Sequence, residues 1–477
     1  MKKIYFLLVL CLMTMMAWAK PIQLEQAYQQ ASQFLNHGSH RVPGIKQPSL
    51  RLVYTMSQPQ SQQPAFYAFN RGENEGFVLI AADDELETVL GYADEGQFVI
   101  ENMPNHVQWW MERYARYVEQ QTNQPTAHKI AAATASYTAV DPLLTTKWNQ
   151  GEPYNNMCPV MNGESCVTGC VATCHAQILK YYNTQNNPSG ESLSYRWNGQ
   201  TLSVTFDSYD WDNMLDVYTG SESATKKDAV AKLMYHCGVA CNMNYSTYSS
   251  AASPHTMLTA MIEYFGYDKG IETLMIDYMN MDTVLAKMNR DLLAGHPISV
   301  SANTKEDGGH SFVCDGMDAQ GRVHINWGWG GFSDGYFRFI NMNPDNQGIG
   351  GSISNSAYTE DVTAFIGIQP QKENKPKICV TSDVSMINKS RFNKGRVVFS
   401  LKNLKNAGIG TWNGGVSLLV YDYSKSDFKD FSWTNGSVSL NSGYYFPGTN
   451  NAYYNLSSLT DGKYWVLPMV YDTELEQ

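Results

Sequence analysis

The chain has 477 residues, 43% hydrophobic and 12% aromatic, which is apolar material for more than one core. At roughly 100–200 residues per domain, about three domains are expected. The formal net charge is −11 and no Lys/Arg run stands out, which argues against nucleic acid or an anionic lipid surface as the main partner.

Met1, Lys2 and Lys3 precede an apolar run over 4–18, and Ala17 and Ala19 form an A-x-A cleavage pattern. Residues 1–19 therefore read as a secretory signal peptide, too short to span a bilayer. Leu10 before Cys11 is not small, which excludes a lipoprotein cysteine, and no later segment is long and apolar enough to cross a membrane. Residues 20–130 read as a small α+β unit. Helical periodicity predicts a helix over 22–35 and another over 105–120, with Val107, Trp110, Tyr114 and Val118 on one face. Between them, strands are predicted over 50–56, 65–70, 76–81 and 89–92. Residues 121–139 are small, polar and patternless, as in an exposed connector open to proteolytic nicking.

Residues 140–369 hold the densest motifs, with aromatic strands expected around 325–340. KENKPK at 372–377 reads as a linker. Beyond it, short alternating segments at 378–381, 396–401, 416–423, 438–440 and 464–471 have the texture of a β-sandwich. Asn413-Gly414-Gly415 and Asp461-Gly462 read as turns between them. Leu459, Asp461, Gly462 and Tyr464 are similar to a tyrosine corner, after which one further strand is expected. The chain stops at Gln477 before it, as if truncated within or just after the sandwich.

Of 9 cysteines, all but Cys11 lie in the mature chain. Export permits disulfides, and Cys158 with Cys166 is a candidate bridge. Cys237 and Cys241 are four apart on one expected helix face, an awkward geometry for bridging. Most of these cysteines read as buried small apolar residues. Cys166, Cys170, Cys174 and His175 cluster in sequence, but the chain has no C-x2-C pair, so no metal site is expected.

Thr168 and Gly169 allow a tight turn before a helix predicted over 170–183, which puts Cys170 at a helix N-terminus. Backbone N–H groups and the macrodipole there favour a thiolate. A thiolate is the nucleophile that attacks a peptide carbonyl. Alone, such a cysteine is more often structural. His310, in Gly308-Gly309-His310-Ser311-Phe312-Val313, changes the balance: glycines before it let another backbone approach, and a strand-like run follows. Such a pair is a thiolate–imidazolium arrangement. Asn326 can accept from the imidazole N–H, and Trp327 can shield that bond. His175 is five residues from Cys170 on the same helix and does not face it.

These residues carry a resemblance. The motifs TGCVAT at 168–173, GGHSFV at 308–313 and HINWGWGGFSDGYFR at 324–338, with WNQGEPYN at 148–155, resemble the streptopain family of papain-like cysteine peptidases, close to interpain-type secreted bacterial proteases. The resemblance covers about residues 70–369. It implies an α+β fold with an inhibitory prodomain over 20–135 and a papain-like catalytic domain over 136–369; the strand texture beyond it reads as a β-sandwich (immunoglobulin-like) domain over 378–477. It implies Cys170 as nucleophile, His310 as base, Asn326 as orienter and Gln150 as oxyanion-hole glutamine. It further implies Gly309, Trp327, Ser249 and Ser250 along the substrate cleft, and a hydrophobic side chain two residues before the scissile bond. No cofactor or metal is implied. The partners implied are protein and peptide substrates and the chain's own prodomain as an intramolecular inhibitor, outside a bacterial cell. Two rival readings are a silent adhesin or inhibitor on the same scaffold and a transglutaminase-like acyl transferase. The first predicts uniformly slow cysteines. The second needs an amine acceptor site and usually an Asp where Asn326 stands.

Overall fold

The computed structural model describes residues 21–36, 40, 49–84, 86–123, 136–183, 187–304, 308–340, 361–386, 396–422, 427–433, 438–455 and 464–473. The signal-peptide reading, most of the connector, and Leu459, Asp461 and Gly462 of the corner motif lie outside the described residues.

Helix α1 (Leu24–Asn36) precedes β1 (Leu50–Ser57), β2 (Pro64–Arg71), β3 (Phe77–Ala81), β4 (Val89–Ala93) and α2 (Asn105–Asn123). Next come β5 (Val160–Met161), β6 (Glu164–Ser165), α3 (Cys170–Tyr182), β7 (Ser192–Trp197), β8 (Gln200–Thr205), α4 (Ala224–Ala240) and α5 (Pro254–Tyr264). Then follow β9 (Glu272–Met275), α6 (Met281–Leu293), β10 (Ile298–Thr304), β11 (Gly308–Met317), β12 (Val323–Asn326), β13 (Gly335–Phe337) and β14 (Asp361–Ile366). The last strands are β15 (Val380–Met386), β16 (Arg396–Asn406), β17 (Trp412–Asp422), β18 (Asp427–Trp433), β19 (Val438–Leu440), β20 (Tyr445–Asn455) and β21 (Tyr464–Asp472).

The chain forms two compact units. The first gathers 1–136 with 320–322 and 332–342; the second gathers 137–319, 323–331 and 343–477. In the first, β1, β2, β3, β4 and β13 run in that order as antiparallel neighbours. Strands β3 and β4 are buried at every residue, which is why GFVLIA reads as a continuous apolar run and not as an alternation. Helix α1 buries Ala27, Ala31 and Leu35, four residues apart, in one cluster with Tyr67, Phe69, Val78 and Ile80. Residues 332–340 fall within the domain span read from sequence as catalytic, yet they belong to this first unit. The reasons are specific: Arg338 N–H donates to Leu90 O (2.9 Å), Ser333 N–H donates to Gln97 O (3.2 Å), and the Phe337 and Phe339 rings pack on Phe77 and Trp110. Glu87 pairs with both Arg322 and Arg338.

In the second unit β12, β11, β10, β14 and β9 are successive antiparallel neighbours. Helix α3 packs across β11, and α4 and α5 pack on α3. Their shared core includes Val171, Ile178 and Leu179, Leu233, Met234 and Cys237, Met257, Leu258 and Met261, with Val313 and Phe365 from the strands. No element was assigned from sequence between 187 and 297, where α4, α5 and α6 lie. For α4 burial explains this, because ten of its residues are buried and leave little amphipathic contrast, whereas α6 buries Val284, Leu285, Met288 and Leu292 at helical spacing and was legible.

The C-terminal region forms two antiparallel sheets, β15-β16-β20 and β18-β17-β19 with β21 on β17. Val397, Phe399 and Leu401 alternate along β16, and Val416, Leu418 and Val420 along β17, and these faces share one core. Two sequence expectations change. Gly414 and Gly415 are not a turn but lie inside β17 opposite Asp472 and Tyr471, where a Cβ on Gly414 would meet Tyr471 O at 1.7 Å. Strand β20 contains Pro447 and Gly448, which hid it in the sequence; as an edge strand it tolerates both. Nor is 372–377 a loose linker. Buried Asp268 accepts from Gly270 N (2.7 Å), Lys372 N (2.8 Å) and Asn374 N (3.1 Å).

None of the eight described cysteines is in a disulfide, so Cys158 and Cys166 are not bridged. Among the described residues no group of three or more His, Cys, Asp or Glu is placed to hold a metal, and no helix is long and apolar enough to cross a membrane.

Candidate active site

Gly169 starts α3 from a backbone (φ 86°, ψ 143°) that side-chain-bearing residues rarely adopt. Thr173 N–H donates to Gly169 O (3.0 Å), and the Thr173 hydroxyl donates to the same oxygen (3.1 Å) and bonds the Thr168 hydroxyl (2.8 Å). The first turn is thereby locked. Of the cysteines at 158, 166, 170, 174, 237, 241 and 314, Cys170 alone is not buried. Burial against the protein pushes the Cys170 thiol up, while the backbone N–H groups of Ser311, Val171 and Cys170 itself oppose that rise. The lowered thiol pKa expected from the helix start is therefore outweighed in this state by desolvation.

The Ser311 contact fixes the other half of the site. Ser311 follows His310 directly, and His310 lies in β11 opposite Ala302 of β10. The sulfur and the histidine-bearing strand are thus joined one residue from His310, of which the structure describes the backbone. Gly309 sits next to it, opposite Asn303. The Ser311 hydroxyl is buried against that of Ser301 (2.7 Å).

Gln150 is brought to the same helix start: Thr168 N–H donates to Gln150 O (3.1 Å), and Asn149 Oδ1 accepts from Gln150 N–H (2.7 Å). Its side chain is half-buried. Trp148, fully buried, donates its indole N–H to Leu215 O (2.9 Å).

Asn326 is buried at the end of β12. Its amide donates to Thr146 O (2.8 Å), and its Oδ1 accepts from Gln177 Nε2 (3.0 Å) and Gly328 N (3.0 Å). An amide oxygen has two lone pairs, and both are engaged. The amide oxygen read from sequence as the imidazole's acceptor is here spent on its own neighbours. Trp327 is 1% exposed, with its ring 4.9 Å from that of Phe312 on the histidine strand.

Ser249 is exposed and Ser250 is buried. The Ser250 hydroxyl donates to Val167 O (2.7 Å) and accepts from Ser246 N–H (2.9 Å), so it braces the 244–251 loop. His175 is buried with Nδ1 2.8 Å from Val171 O, and burial lowers it to about 4, leaving it neutral. Sequence reasoning missed Gln177, Thr146 and the Ser311 N–H. Gln177 carried a signal: it is a polar residue seven positions after Cys170, nearly two helical turns on and so on the same face.

A thiol heading a helix, set on a histidine-bearing strand and preceded in the chain by a folded N-terminal unit, is the arrangement of a cysteine peptidase with a prodomain. Residues 148–337 match the Peptidase C10 family, and residues 19–118 match the Spi protease inhibitor family. Streptopain of Streptococcus pyogenes is 30% identical over 318 residues, 62% of this chain and 78% of that one. The thiol protease/hemagglutinin PrtT of Porphyromonas gingivalis is 30% identical over 405 residues, 79% of this chain and 45% of that one, so the chain spans less than half of this relative. A solved Prevotella intermedia prointerpain A fragment is similar with a TM-score of 0.57 at 28% identity, covering 69% of this chain and 100% of that one. The chain belongs to the peptidase C10 family, the streptopain family of thiol proteases.

Proposed function

We propose that the chain is exported as a zymogen and acts outside the cell as an endopeptidase on proteins. The observation that carries this reading is the partly buried thiol of Cys170 at the head of α3, beside the backbone N–H of Ser311, the residue after His310. Cys170 thiolate attacks the peptide carbonyl carbon and forms a C–S bond. The oxyanion is held by the Cys170 N–H and the Gln150 side-chain amide; one such donor is typically worth about 100- to 1000-fold in rate. His310 imidazolium gives its proton to the leaving amine as the C–N bond breaks, leaving a thioester. His310 then takes a proton from water, which attacks the thioester and releases the acid and the thiolate.

Trp327 shields the histidine strand. Asn326, whose amide is committed to Thr146, Gln177 and Gly328, contributes by holding Trp327 and Gly328 in place. Gly309, Trp327 and the loop bearing Ser249 and Ser250 border the cleft, which prefers a hydrophobic side chain two residues before the scissile bond. Residues 20–135 act as an intramolecular inhibitor, and 378–477 form an immunoglobulin-like sandwich.

The test is full-length Cys170→Ala beside the parent, each incubated alone and followed by gel mobility and protein hydrolysis. The parent is expected to shorten and gain activity while Cys170→Ala stays full length and inactive. Self-shortening of Cys170→Ala would overturn the proposal.

A further inference from the structure

Gln177 has no exposed surface, and its primary amide closes a ring of hydrogen bonds behind the site. Its Nε2 donates to Asn326 Oδ1 (3.0 Å), Asn326 Nδ2 donates to Thr146 O (2.8 Å), and the Thr146 hydroxyl donates to Gln177 Oε1 (2.9 Å). Trp148 N–H approaches the same Gln177 oxygen at 3.4 Å. The orientation of each amide is forced. Thr146 O can only accept and Gly328 N can only donate, so Asn326 must point Nδ2 at the first and Oδ1 at the second. Gln177 must then donate to Asn326, which leaves its oxygen for Thr146 and Trp148. Turning either amide over would set donor against donor and acceptor against acceptor within a buried cluster.

The ring joins three segments that each carry a candidate site residue. Gln177 lies on α3, the helix headed by Cys170. Thr146 and Trp148 lead into Gln150. Asn326 begins the run Trp327-Gly328, and Gly328 lies against α3, where a Cβ would meet Thr173 Cγ2 at 3.1 Å. Gly330 N–H donating to Trp148 O (2.9 Å) ties the last two segments again. A glutamine here does what an apolar residue of equal size could not: it sets the distances among the nucleophile helix, the oxyanion segment and the strand end together.

We infer that Gln177 is a positioning residue for the peptidase reaction, acting on the Gln150 segment and on Asn326 through this ring and not by touching substrate. The inference rests on the peptidase reading. Its test is Gln177→Met, which keeps the volume and removes the hydrogen bonds, prepared as the full chain and matured by a trace of the parent enzyme. Steady-state cleavage of a fluorogenic peptide is measured beside the rate of alkylation of Cys170 by iodoacetamide. A kcat about 10- to 100-fold lower, with KM within about threefold and alkylation within about threefold of the parent, is expected, because alkylation needs the thiol but no oxyanion hole. Thr146→Val, which removes one bond of the ring, should lower kcat by about 3- to 10-fold and add little further loss in the Gln177→Met background.

A Gln177→Met enzyme with kcat within twofold of the parent would overturn the inference. If Gln177→Met does not fold, Thr146→Val decides in the same way. Equal losses in kcat and alkylation rate would also overturn it, since they would place the fault in the thiol. Failure of the peptidase reading itself would show differently, as a parent with no hydrolysis and no fast-reacting cysteine.

Discussion

Gly169→Ala should cost the protein stability and its reactive thiol together. A residue with a Cβ held at φ 86°, ψ 143° carries about 1–3 kcal/mol of backbone strain. The new Cβ would also sit 2.8 Å from Met243 Cε and 2.8 Å from Ser250 O. The methionine methyl can swing aside. The Ser250 carbonyl cannot, because its residue is pinned through Oγ to Val167 O and Ser246 N. Overpacking of this kind adds about 1–3 kcal/mol. The sum, about 2–6 kcal/mol, lowers the melting temperature by about 4–12 °C at roughly 2 °C per kcal/mol for a unit of this size. Melting is measured by circular dichroism in the Cys170→Ala background, where self-cleavage is absent, and thiol reactivity by iodoacetamide with Cys170 present. A melting temperature within about 1 °C of the parent and an unchanged alkylation rate would refute the idea that this turn is built around glycine.

Two further outcomes are expected. Burial holds His175 at about 4, below its ordinary 6.5, so between those values the unfolded chain binds a proton that the folded chain refuses. Stability is therefore full above about pH 6.5 and falls as pH drops toward 4, at up to about 1.4 kcal/mol per pH unit. In urea unfolding at pH 7.5 and 5.0, the parent should lose about 2 kcal/mol more than His175→Leu over that interval; equal losses would refute this. Burial acts to raise the Asp268 carboxyl, but the N–H groups of Lys372, Gly270 and Asn374 hold it net below its usual value. Asp268→Ala removes the shared acceptor of those three donors, two of them on exposed residues that water can reach, which costs about 1–3 kcal/mol. Trypsin should then cut at Lys372 and Lys377 several-fold faster than in the parent, and an unchanged cutting rate would count against the anchoring role.

What could be read in the sequence was what depends on local order. The start of α3 at Cys170, the helix faces of α1 and α2, and the apolar runs β3 and β4 follow from periodicity and turn chemistry. Side-chain partners were not legible. Nothing in the spacing of Asn326 says that its oxygen is taken by Gly328 and by a glutamine far earlier in the chain. Ser250 is read as a cleft residue from its likeness to the family's Ser/Gly-rich wall; that its hydroxyl also braces the 244–251 loop was not legible. Gly414 and Gly415 looked like a turn because glycine permits one; here they make room for the neighbouring strand β21. In each case tertiary packing chose among roles that the residue type leaves open.

The first unit borrows β13 from late in the chain, and this bears on how it is made and undone. Strands β1 to β4 emerge during synthesis well before residues 335–337 exist, so until then β4 has an open edge and Glu87 has neither arginine. A cut in the connector would leave four strands of that sheet on one polypeptide and the fifth on another. Parting them is then the dissociation of a complex, governed by dilution and competition, and scission of the tether alone does not complete it.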